Sequence, residues 1–444
     1  MAGKVRPLLA ANRDVDPRHR MMRLAIPRPI GCRPHTILTS VSDGLLESVL
    51  HGRQLQGVIA MASDMSVGVV GAGIMGLAHA WMAAEQGHQV TVFERSPQAV
   101  GASIRNFGMV WPIGQVAGEA YEAALASRRR WLTAAKEAGV RAEPCGSIHL
   151  AHREDELAVL EEFAQRAPDL GYDVTMLSGP EVLAATPAAN AEGLLGGLKT
   201  NTELAVDPTE AIPRIAAWLA ERYGVCFRWH TTVVAAETGR LQAADGSSWS
   251  GDRILICSGS DFETLFPDLL ASSGLTRCKL HMLATVPQAG GWRLNTHLAS
   301  GLTLRHYKAF EICPTLPQLR ERIATETPEL DRYGIHVMAS QNAAGEVILG
   351  DSHEYDDAIG PFDTAEIDEL ILRELRACFA LPDWTIARRW HGIYAKDPAN
   401  THYAAEPLPG VSVRTGPGGA GMTLSFGLAE REWQHAAHTT GAPA

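Results

Sequence analysis

The sequence predicts an α/β protein in which a Rossmann-like domain is combined with a discontinuous mixed-sheet α+β domain. A buried strand, a glycine-rich turn, a helix and a second strand follow one another between Val67 and Phe93. A second glycine-rich segment precedes a helix that begins near Gly421. In the region 279–349, strand-like runs follow one another with little helix between them, which indicates a second sheet.

The composition is that of a globular protein, and its charge balance argues against some classes of binding partner. The chain has 444 residues, of which 46% are hydrophobic and 20% charged, and a net charge of −11. An acidic balance does not favour nucleic acid as a partner. The seven cysteines form no CxxC pair, which is typical of reduced thiols and predicts a cytoplasmic protein. The apolar run at 67–84 is interrupted by glycines and His79, so we predict no membrane anchor.

The first 64 residues differ from the rest. They carry nine Lys or Arg against five acids, contain several prolines and show no sustained hydrophobic period. We predict that 1–64 is a disordered extension. An Arg-rich targeting peptide is the alternative, and the sequence leaves open whether the segment belongs to the mature protein.

The segment after Met65 opens as a dinucleotide-binding unit. Gly71 permits a tight turn, Gly73 allows the backbone to approach a pyrophosphate, and Gly76 allows close packing of helix on strand. The phosphates would lie at the positive N-terminus of the helix that follows. Glu94 comes 18 residues after Gly76, at the end of the second strand, where a carboxylate binds a ribose diol. Strand, turn, helix, strand and acid all occur in the required order, so the sequence predicts nucleotide binding.

The rest of the chain favours FAD over NAD. Evenly spaced βα units, typical of a compact dehydrogenase domain, do not continue beyond Glu94. A glycine-punctuated loop, 101–112, follows instead, and a second glycine-rich loop, 415–421, opens a helix near the C-terminus. Two helix N-termini suit an elongated cofactor, one for the pyrophosphate and one for the anionic edge of a reduced isoalloxazine.

Further elements are predicted from their local patterns. The helices and strands expected after the first unit are a helix over 118–138, a helix from the N-cap Asp207 and Pro208 to Tyr223, returning strands at 225–234 and 253–259, strands at 279–286, 302–312, 334–340 and 346–349, and a helix over 364–378.

These residues resemble the D-amino-acid oxidase and glycine oxidase superfamily of FAD-dependent oxidoreductases. The resemblance covers about 67–430 and rests on the first glycine loop with Glu94, on Val206–Pro208, on 254–259 and on 416–427. Within the superfamily, 102–112, 336–351, 390–396 and 416–427 are similar to a bacterial branch associated with phosphonate catabolism. Members of that branch are proposed to deaminate small aminophosphonates oxidatively.

The resemblance implies a division into domains. A Rossmann-like FAD-binding domain would use 65–140, 200–275 and 387–430, and a mixed-sheet α+β substrate domain would use 141–199 and 276–386. Residues 431–444 would form a tail.

The resemblance also implies the chemistry. A hydride passes from the amine-bearing carbon to flavin N5, and water hydrolyses the resulting imine, so no acid–base dyad is obligatory. Oxygen or another acceptor would reoxidise the flavin. The sequence contains no GxSxG or HExxH motif, and its 17 histidines have no recognisable metal spacing, so no metal is predicted. Nothing around Cys278 or Cys313 indicates a covalent flavin link, and non-covalent FAD is expected.

The cofactor-binding residues that the resemblance implies come from both glycine loops and from the segments around them. They are Gly71, Ala72, Gly73, Ile74, Met75, Gly76, Glu94, Arg95, Ser103, Arg105, Asn106, Val233, Ser258, Gly259, Gly418, Gly419, Ala420, Gly421, Met422 and Thr423.

One position departs from the amino-acid oxidases. In these relatives an arginine after a Trp-x-Gly turn binds the substrate carboxylate, whereas the corresponding residue here is Tyr394. A tyrosine donates one hydrogen bond and forms no bidentate ion pair. The catalytic and substrate-binding candidates are Tyr394, Arg105, Lys279, His281 and Lys396, and further candidate anion ligands are Arg305, His306, Lys308 and His402.

Three functions stay open. The first is a flavin oxidoreductase for a small aminophosphonate. The second is the same chemistry on a D-amino acid, glycine or sarcosine, against which the missing arginine counts. The third is a nucleotide-binding protein without turnover, against which the two intact glycine loops count.

Overall fold

The structure is a computed structural model that describes residues 64–440. The predicted disordered extension therefore lies, except for Asp64, outside the described residues.

The strands of the described region are numbered in chain order. They are β1 Ser66–Val70, β2 Gln89–Phe93, β3 Met109–Val110, β4 Ala142–Pro144, β5 Ser147–Ala151, β6 Val174–Ser178, β7 Gly196–Thr200, β8 Leu204–Val206, β9 Cys226–Arg228, β10 Val233–Glu237, β11 Arg240–Ala243, β12 Ser248–Ser250, β13 Arg253–Ile256, β14 Thr276–Thr285, β15 His297–Ala299, β16 Met338–Gln341, β17 Val347–Gly350, β18 Glu354–Asp356, β19 Ile386–Lys396, β20 Tyr403–Leu408 and β21 Val411–Thr415.

The helices are numbered in the same way. They are α1 Ile74–Glu85, α2 Glu119–Ala138, α3 Glu154–Arg166, α4 Gly179–Ala185, α5 Pro208–Tyr223, α6 Pro267–Ala271, α7 Leu316–Glu326, α8 Pro328–Arg332, α9 Ala365–Cys378 and α10 Gly421–Thr440. Short 3₁₀ turns occur at Ala102–Ile104, Pro112–Gly114, Ala167–Leu170, Ala289–Gly291, Gly301–Arg305, Lys308–Ile312 and Gly418–Ala420.

A six-stranded sheet has the order β20-β21-β13-β1-β2-β9. Its pairs are parallel except at the β20 edge, where β20 runs antiparallel to β21. The carboxyl ends of parallel strands meet at one edge of a sheet. The turns that follow β1, β2, β13 and β21 therefore lie side by side.

Helix α1 is buried along almost its whole length, because α5 and α10 pack against it. Trp81 on α1 makes edge-on contacts with Trp218 of α5 at 4.8 Å and with Phe426 of α10 at 5.2 Å between ring centroids. Such aromatic pairs add to the stability that area burial supplies. This packing holds the N-termini of α1 and α10 in one layer.

A nine-stranded sheet has the order β18-β14-β17-β16-β15-β5-β7-β6, with β19 paired to β14. The long antiparallel β14–β19 pair places Cys278 opposite Tyr394 and His281 opposite His391. Successive side chains of a strand point to opposite faces. Leu280, Met282 and Tyr394 therefore share one face of the sheet, and Lys279 and His281 share the other.

Several local predictions agree with the structure, and three are wrong. The predicted helices at 118–138, 208–223 and 364–378 correspond to α2, α5 and α9, and Asp207 caps α5 by accepting the Thr209 N–H at 3.1 Å. The predicted strand 302–312 is instead two 3₁₀ turns, in which Thr303 accepts the His306 N–H at 3.0 Å. Two helices, α7 and α8, lie in the region where little helix was expected.

The third correction concerns 225–234, which was predicted as one strand of the nucleotide-binding sheet. Only Cys226–Arg228 joins that sheet, as β9, whereas Val233 begins β10 of a separate sheet of order β10-β11-β12. The chain turns at His230, whose φ of 57° interrupts an extended run.

Residues 431–440, which the sequence analysis set apart as a tail, continue helix α10. Trp433 is fully buried, and Glu432 binds Arg253 at 2.5 Å and Arg414 at 2.7 Å. Burial opposes the charged form of Glu432, but His79, Arg414 and Arg253 together hold its pKa below the usual value. The C-terminal helix is thereby fastened to the six-stranded sheet.

We expect Glu432→Gln to lower the free energy of unfolding by about 2 kcal/mol at pH 7, because two arginines lose their common carboxylate. Because the fold lowers the pKa of Glu432, the contribution of this carboxylate to stability is complete above the pKa of the unfolded chain. It is lost as pH falls through the pKa of the folded protein. Urea unfolding at pH 7 and pH 4 measures both effects. The exposed α9 substitution Glu369→Gln is the control, and an equal loss in both variants would contradict the assignment.

Within residues 64–440, no helix combines the length and the apolar character needed to cross a bilayer. No disulfide joins the cysteines of this region.

Candidate active site

A cleft of about 750 Å³ lies where the carboxyl ends of β1, β2, β13 and β21 meet the inner face of the β14–β19 pair. Such a volume is typical of cofactor and substrate sites. The two glycine loops and the 101–107 loop line one part of it, and side chains of the larger sheet line the other.

The first glycine loop leaves no room for side chains at two of its three glycines. Gly71 has a φ of +102°, and a Cβ there would lie 2.4 Å from the Cys257 carbonyl oxygen. A Cβ at Gly76 would lie 1.9 Å from the Gly71 carbonyl oxygen. At Gly73 the only neighbour within 4 Å is the Ser103 hydroxyl, at 3.0 Å. Gly73 is therefore the glycine whose missing side chain leaves the cleft open.

Glu94 lies directly beyond β2 and is held by two backbone amides. The Ala72 N–H donates to its Oε2 at 3.0 Å and the Ser96 N–H to its Oε1 at 3.0 Å. Each carboxylate oxygen has a further lone pair. The carboxylate thus lies beside the N-terminus of α1 with acceptor capacity to spare.

The 101–107 loop is shaped by its own polar side chains. Ser103 Oγ accepts the Ile74 N–H at 2.9 Å. Asn106 donates to the Ala102 and Ser103 carbonyl oxygens and accepts the Gly108 N–H at 2.9 Å. These bonds fix the loop over the start of α1.

The second glycine loop is tied to β13 and to the 101–112 segment. Thr415 Oγ1 donates to the Gly259 carbonyl oxygen at 2.7 Å, and Thr423 Oγ1 accepts the Trp111 N–H at 2.9 Å. A Cβ at Gly419 would lie 3.7 Å from Tyr394 Oη. Tyr394 therefore stands next to the loop that begins α10.

The part of the cleft formed by the larger sheet carries histidines, an acid and two lysines. Its polar lining residues are His306, Tyr307, Lys308, His336, Asp351, His353, Tyr394 and Lys396. Burial lowers the pKa of His353 to about 4, lowers those of His306 and His336 well below the usual value, and raises that of Asp351. Burial also raises the pKa of Tyr394 well above its usual value, so its hydroxyl stays a hydrogen-bond donor.

Lys396 and Lys308 each contact an uncharged oxygen. Lys396 Nζ donates to Tyr355 Oη at 3.1 Å, and Lys308 Nζ to the Pro398 carbonyl oxygen at 3.4 Å. Burial, and to a smaller degree the charge of Lys308, lowers the pKa of Lys396. Within residues 64–440 neither ammonium makes a salt bridge.

Comparison with known proteins decides the family. Residues 66–431, most of the chain, match the DAO family, described as FAD dependent oxidoreductase. The chain belongs to this family. It is 25% identical over 211 residues to glycine oxidase of Geobacillus kaustophilus (strain HTA426), an alignment that spans 45% of this chain and 56% of that relative.

Two solved structures show the same fold as this DAO family chain. Glycine oxidase from Bacillus cereus ATCC 14579 has a TM-score of 0.68 at 18% identity, covering 85% of this chain and 96% of that one. L-proline dehydrogenase from P. horikoshii has a TM-score of 0.67 at 17% identity, covering 85% and 94%. These two structures confirm the predicted α/β fold class, and membership of the DAO family confirms the FAD cofactor and the oxidoreductase class.

The residues of this DAO family protein fit FAD. Gly73 leaves a cradle above the N-terminus of α1, where the backbone N–H groups of a helix start and the helix dipole favour a pyrophosphate. Glu94 provides free lone pairs for a ribose diol. The N-terminus of α10 faces the same cleft and favours negative charge on a reduced flavin ring. When bound, FAD supplies the acceptor for the hydride of the substrate.

Of the residues predicted to bind the cofactor, eighteen line the cleft. Ala72 and Gly76 do not, because Ala72 donates its N–H to Glu94 and Gly76 packs against the Gly71 carbonyl oxygen. Arg95 also forms a salt bridge with Asp261 at 2.7 Å. Cys278 and Cys313, considered for a covalent flavin link, are buried and outside the cleft lining.

The structure brings three of the five predicted catalytic residues, Tyr394, Arg105 and Lys396, to the cleft. It does not bring Lys279 or His281 there, because odd-numbered side chains of β14 point to the opposite face of the sheet. Lys279 Nζ lies 3.0 Å from Asp363, and His281 Nδ1 lies 2.9 Å from Asp368. The alternation of the strand thus removes both from the site.

Among the other candidate anion ligands, His306 and Lys308 line the cleft, whereas Arg305 and His402 do not. Arg305 binds Asp331 at 2.9 Å and three carbonyl oxygens, which uses its donors for structure.

Sequence analysis missed several cleft residues. These are Ser96, Thr231, Thr232, Asp261, Tyr307, His336, Met338, Asp351 and His353. Ser96 has a usable signal, since it follows Glu94 by two positions. His336, Met338 and Asp351 lie in the segment 336–351 that carries the resemblance, but the resemblance assigned them no role. The others come from distant segments and have no local motif.

Proposed function

We propose that this FAD-dependent enzyme oxidises the C–N bond of a small amine that carries a phosphonate group. The observation that carries the proposal is the pair of lysines in the cleft, Lys308 and Lys396, which lack carboxylate partners in residues 64–440. Two adjacent ammonium groups match a dianion better than a singly charged carboxylate.

Tyr394 supports the same reading. Its buried hydroxyl stays protonated and donates a single hydrogen bond. A carboxylate bound by an arginine at this position would receive two parallel charge-assisted bonds, which a tyrosine does not supply. We therefore assign binding of the substrate anion to Lys308 and Lys396, with Tyr394 as an additional hydrogen-bond donor.

The residues orient the substrate and exclude water. Lys308 and Lys396 bind the phosphonate, and the apolar wall of Leu280 and Met282 lies along the cleft. The amine-bearing carbon would then face the N-terminus of α10. The products are an imine, which water hydrolyses to a carbonyl compound, and the reduced cofactor, which oxygen or another acceptor reoxidises.

The second candidate is oxidation of an amino acid such as glycine, sarcosine or a D-amino acid. The names of the relatives, glycine oxidase and L-proline dehydrogenase, favour it. In that case Arg105, which lines the cleft and donates to the His391 carbonyl oxygen at 3.5 Å, would bind the carboxylate.

Anaerobic mixing distinguishes the two candidates. We expect N-methyl-aminoethylphosphonate to bleach the flavin absorbance of the wild-type holoenzyme and D-alanine and glycine to leave it unchanged. Lys308→Met and Lys396→Met should each raise the half-saturating phosphonate concentration about tenfold, since a hydrogen bond to a charged group contributes about 1.5 kcal/mol. The exposed α2 substitution Lys136→Met is the matched control. Bleaching by the amino acids alone would overturn the proposal.

A further inference from the structure

Three histidines from separate segments converge on the wall of the cleft. His306 follows a 3₁₀ turn, His336 precedes β16 and His353 precedes β18. One nitrogen of each lies within 4.8 Å of the others, and their ring centroids are 4.0, 4.4 and 4.8 Å apart. The expectation of no metal was based on local spacing, which reveals nothing about ligands 30 and 17 residues apart.

Several polar atoms of this cluster have no hydrogen-bond partner among residues 64–440. They are both ring nitrogens of His336, a residue only 2% exposed, and Oδ1 of the buried Asp351. Buried polar groups are nearly always satisfied, so each of these atoms calls for a ligand or an ion. Three converging imidazoles beside an unpaired carboxylate are typical of a cation site.

The hydrogen bonds also orient the rings. His353 Nδ1 lies 3.1 Å from the Gly334 carbonyl oxygen, to which it donates, so Nε2 keeps its lone pair. His336 Nδ1 lies 3.5 Å from Asp351 Oδ1, without a hydrogen bond between them. Metal-binding histidines usually donate their second nitrogen to a carbonyl or carboxylate, as His353 does here. The arrangement leaves Nε2 of both rings for a metal.

Asp351 adds a carboxyl group to the cluster. Its oxygens lie 3.5 Å from His336 and 3.9 Å from His353. Imidazole and carboxyl groups together are the ligands of zinc-type cations, whereas a phosphonate is bound by donors such as lysine. The composition of the cluster thus favours a metal ion.

We propose that His306, His336 and His353 bind one divalent metal ion of the zinc type, with Asp351 as a positioning residue. Imidazole suits such ions, which it binds at about 2.0–2.1 Å, so the rings must close by about 1 Å from their present spacing. Three histidine ligands leave an open coordination position, and because all three line the cleft, that position faces it.

The role of the metal rests on the proposed function. Lys396 lines the same cleft as the three histidines. A metal in the cluster would therefore share one phosphonate with Lys396 and contribute the positive charge that an arginine provides elsewhere. Zinc-type ions also bind anionic oxygens, at about 2.0–2.2 Å, so the open position can take a phosphonate oxygen.

The first test measures metal alone. Untagged protein with bound FAD is stripped with a chelator and titrated with Co²⁺, whose tetrahedral bands lie at longer wavelength than those of oxidised flavin. We expect about one Co²⁺ per FAD. His306→Gln and His336→Gln should abolish the bands, and Asp351→Asn should weaken binding about tenfold or more. The control is His402→Gln, outside the cluster.

Retained FAD shows that each variant is folded, and the partly exposed His306 is the position least sensitive to packing. Wild-type protein with bound FAD that takes up no more Co²⁺ than His306→Gln would overturn the metal site. Binding of methylphosphonate to the metal-free protein would also overturn it if His306→Gln abolished that binding, because the rings would then bind the anion directly.

The second test separates the metal from the function. We expect metal removal to raise the half-saturating concentration of N-methyl-aminoethylphosphonate about tenfold or more in anaerobic flavin reduction. Equal reduction with and without metal overturns the anchoring role and leaves the proposed function intact. Stoichiometric metal in a protein that the phosphonate does not reduce overturns the proposed function and leaves the metal site intact.

Discussion

Gly73→Val should produce a folded protein that no longer retains FAD. The backbone of Gly73 has φ −71° and ψ 175°, which valine adopts without strain, and a Cβ there meets only the Ser103 hydroxyl. The branched side chain would instead fill the cleft above the N-terminus of α1, where the pyrophosphate binds. We expect the dissociation constant of FAD to rise at least about 100-fold, or about 3 kcal/mol.

The ratio of flavin to protein absorbance after purification, followed by titration with FAD, measures this effect. Gly360→Val is the matched control, because a Cβ there has nothing within 4 Å. Gly76→Val is the contrasting case, since its Cβ would lie 1.9 Å from the Gly71 carbonyl oxygen and should prevent folding. A yellow Gly73→Val protein with wild-type affinity would contradict the assignment of this loop to the pyrophosphate.

Stability should fall steeply between pH 6.5 and pH 4, because three fully buried histidines remain neutral in the fold. Burial lowers the pKa of His79 and His297 from 6.5 to about 4 and that of His149 to about 3. Below pH 6.5 the unfolded chain binds protons that the folded chain does not. The contribution of these histidines to the free energy of unfolding is therefore complete above pH 6.5. As pH falls below 6.5, the contribution of each histidine decreases by about 1 kcal/mol per pH unit.

His149→Leu isolates one of the three. Both His149 ring nitrogens are buried between Trp111 and Phe310 and have no hydrogen-bond partner in the described part of the chain, 64–440. Leucine should therefore change stability at pH 7.5 by no more than about 1.5 kcal/mol. Between pH 6.5 and pH 4, the free energy of unfolding should decrease less steeply in the variant than in wild type, by about 1 kcal/mol per pH unit. Urea unfolding at a series of pH values, with FAD saturating, measures this.

The exposed substitution His435→Gln should keep the wild-type acid sensitivity. If His149→Leu also loses stability at the wild-type rate on acidification, then burial of His149 does not contribute to acid unfolding.

The predictions that succeeded rest on short-range rules. The order of β1, glycine turn, α1, β2 and Glu94 is encoded within 29 residues, and Gly76 has a local steric reason in the Gly71 carbonyl oxygen. Asp207 and Pro208 mark the start of α5 in the same way. The failures have local causes as well. The turns at 301–312 were mistaken for a strand because apolar and charged residues partly alternate there, as they do in a strand.

The residues at the substrate end of the cleft, the part formed by the larger sheet, were harder to predict from the sequence. Arg105, Tyr394 and Lys396 were named because they lie in recognisable segments, and they line the cleft. Lys279 and His281 were named from composition alone, and the strand alternation at β14 places them on the far face. The pairing register of a strand is set by its partners, so a candidate on a predicted strand has no defined face until the sheet is known.

The sequence by itself therefore determined the nucleotide-binding unit, because a phosphate-binding turn needs only closely spaced glycines and a helix N-terminus. The FAD cofactor and the family followed from the second glycine loop and from the resemblance of several such short segments. The tertiary structure alone decided which side chains share the substrate end. His306, His336 and His353 meet there because β16, β17 and β18 return to one edge of β14 and the turn at 301–305 lies against them. Such convergence depends on packing between distant segments, which no local pattern records.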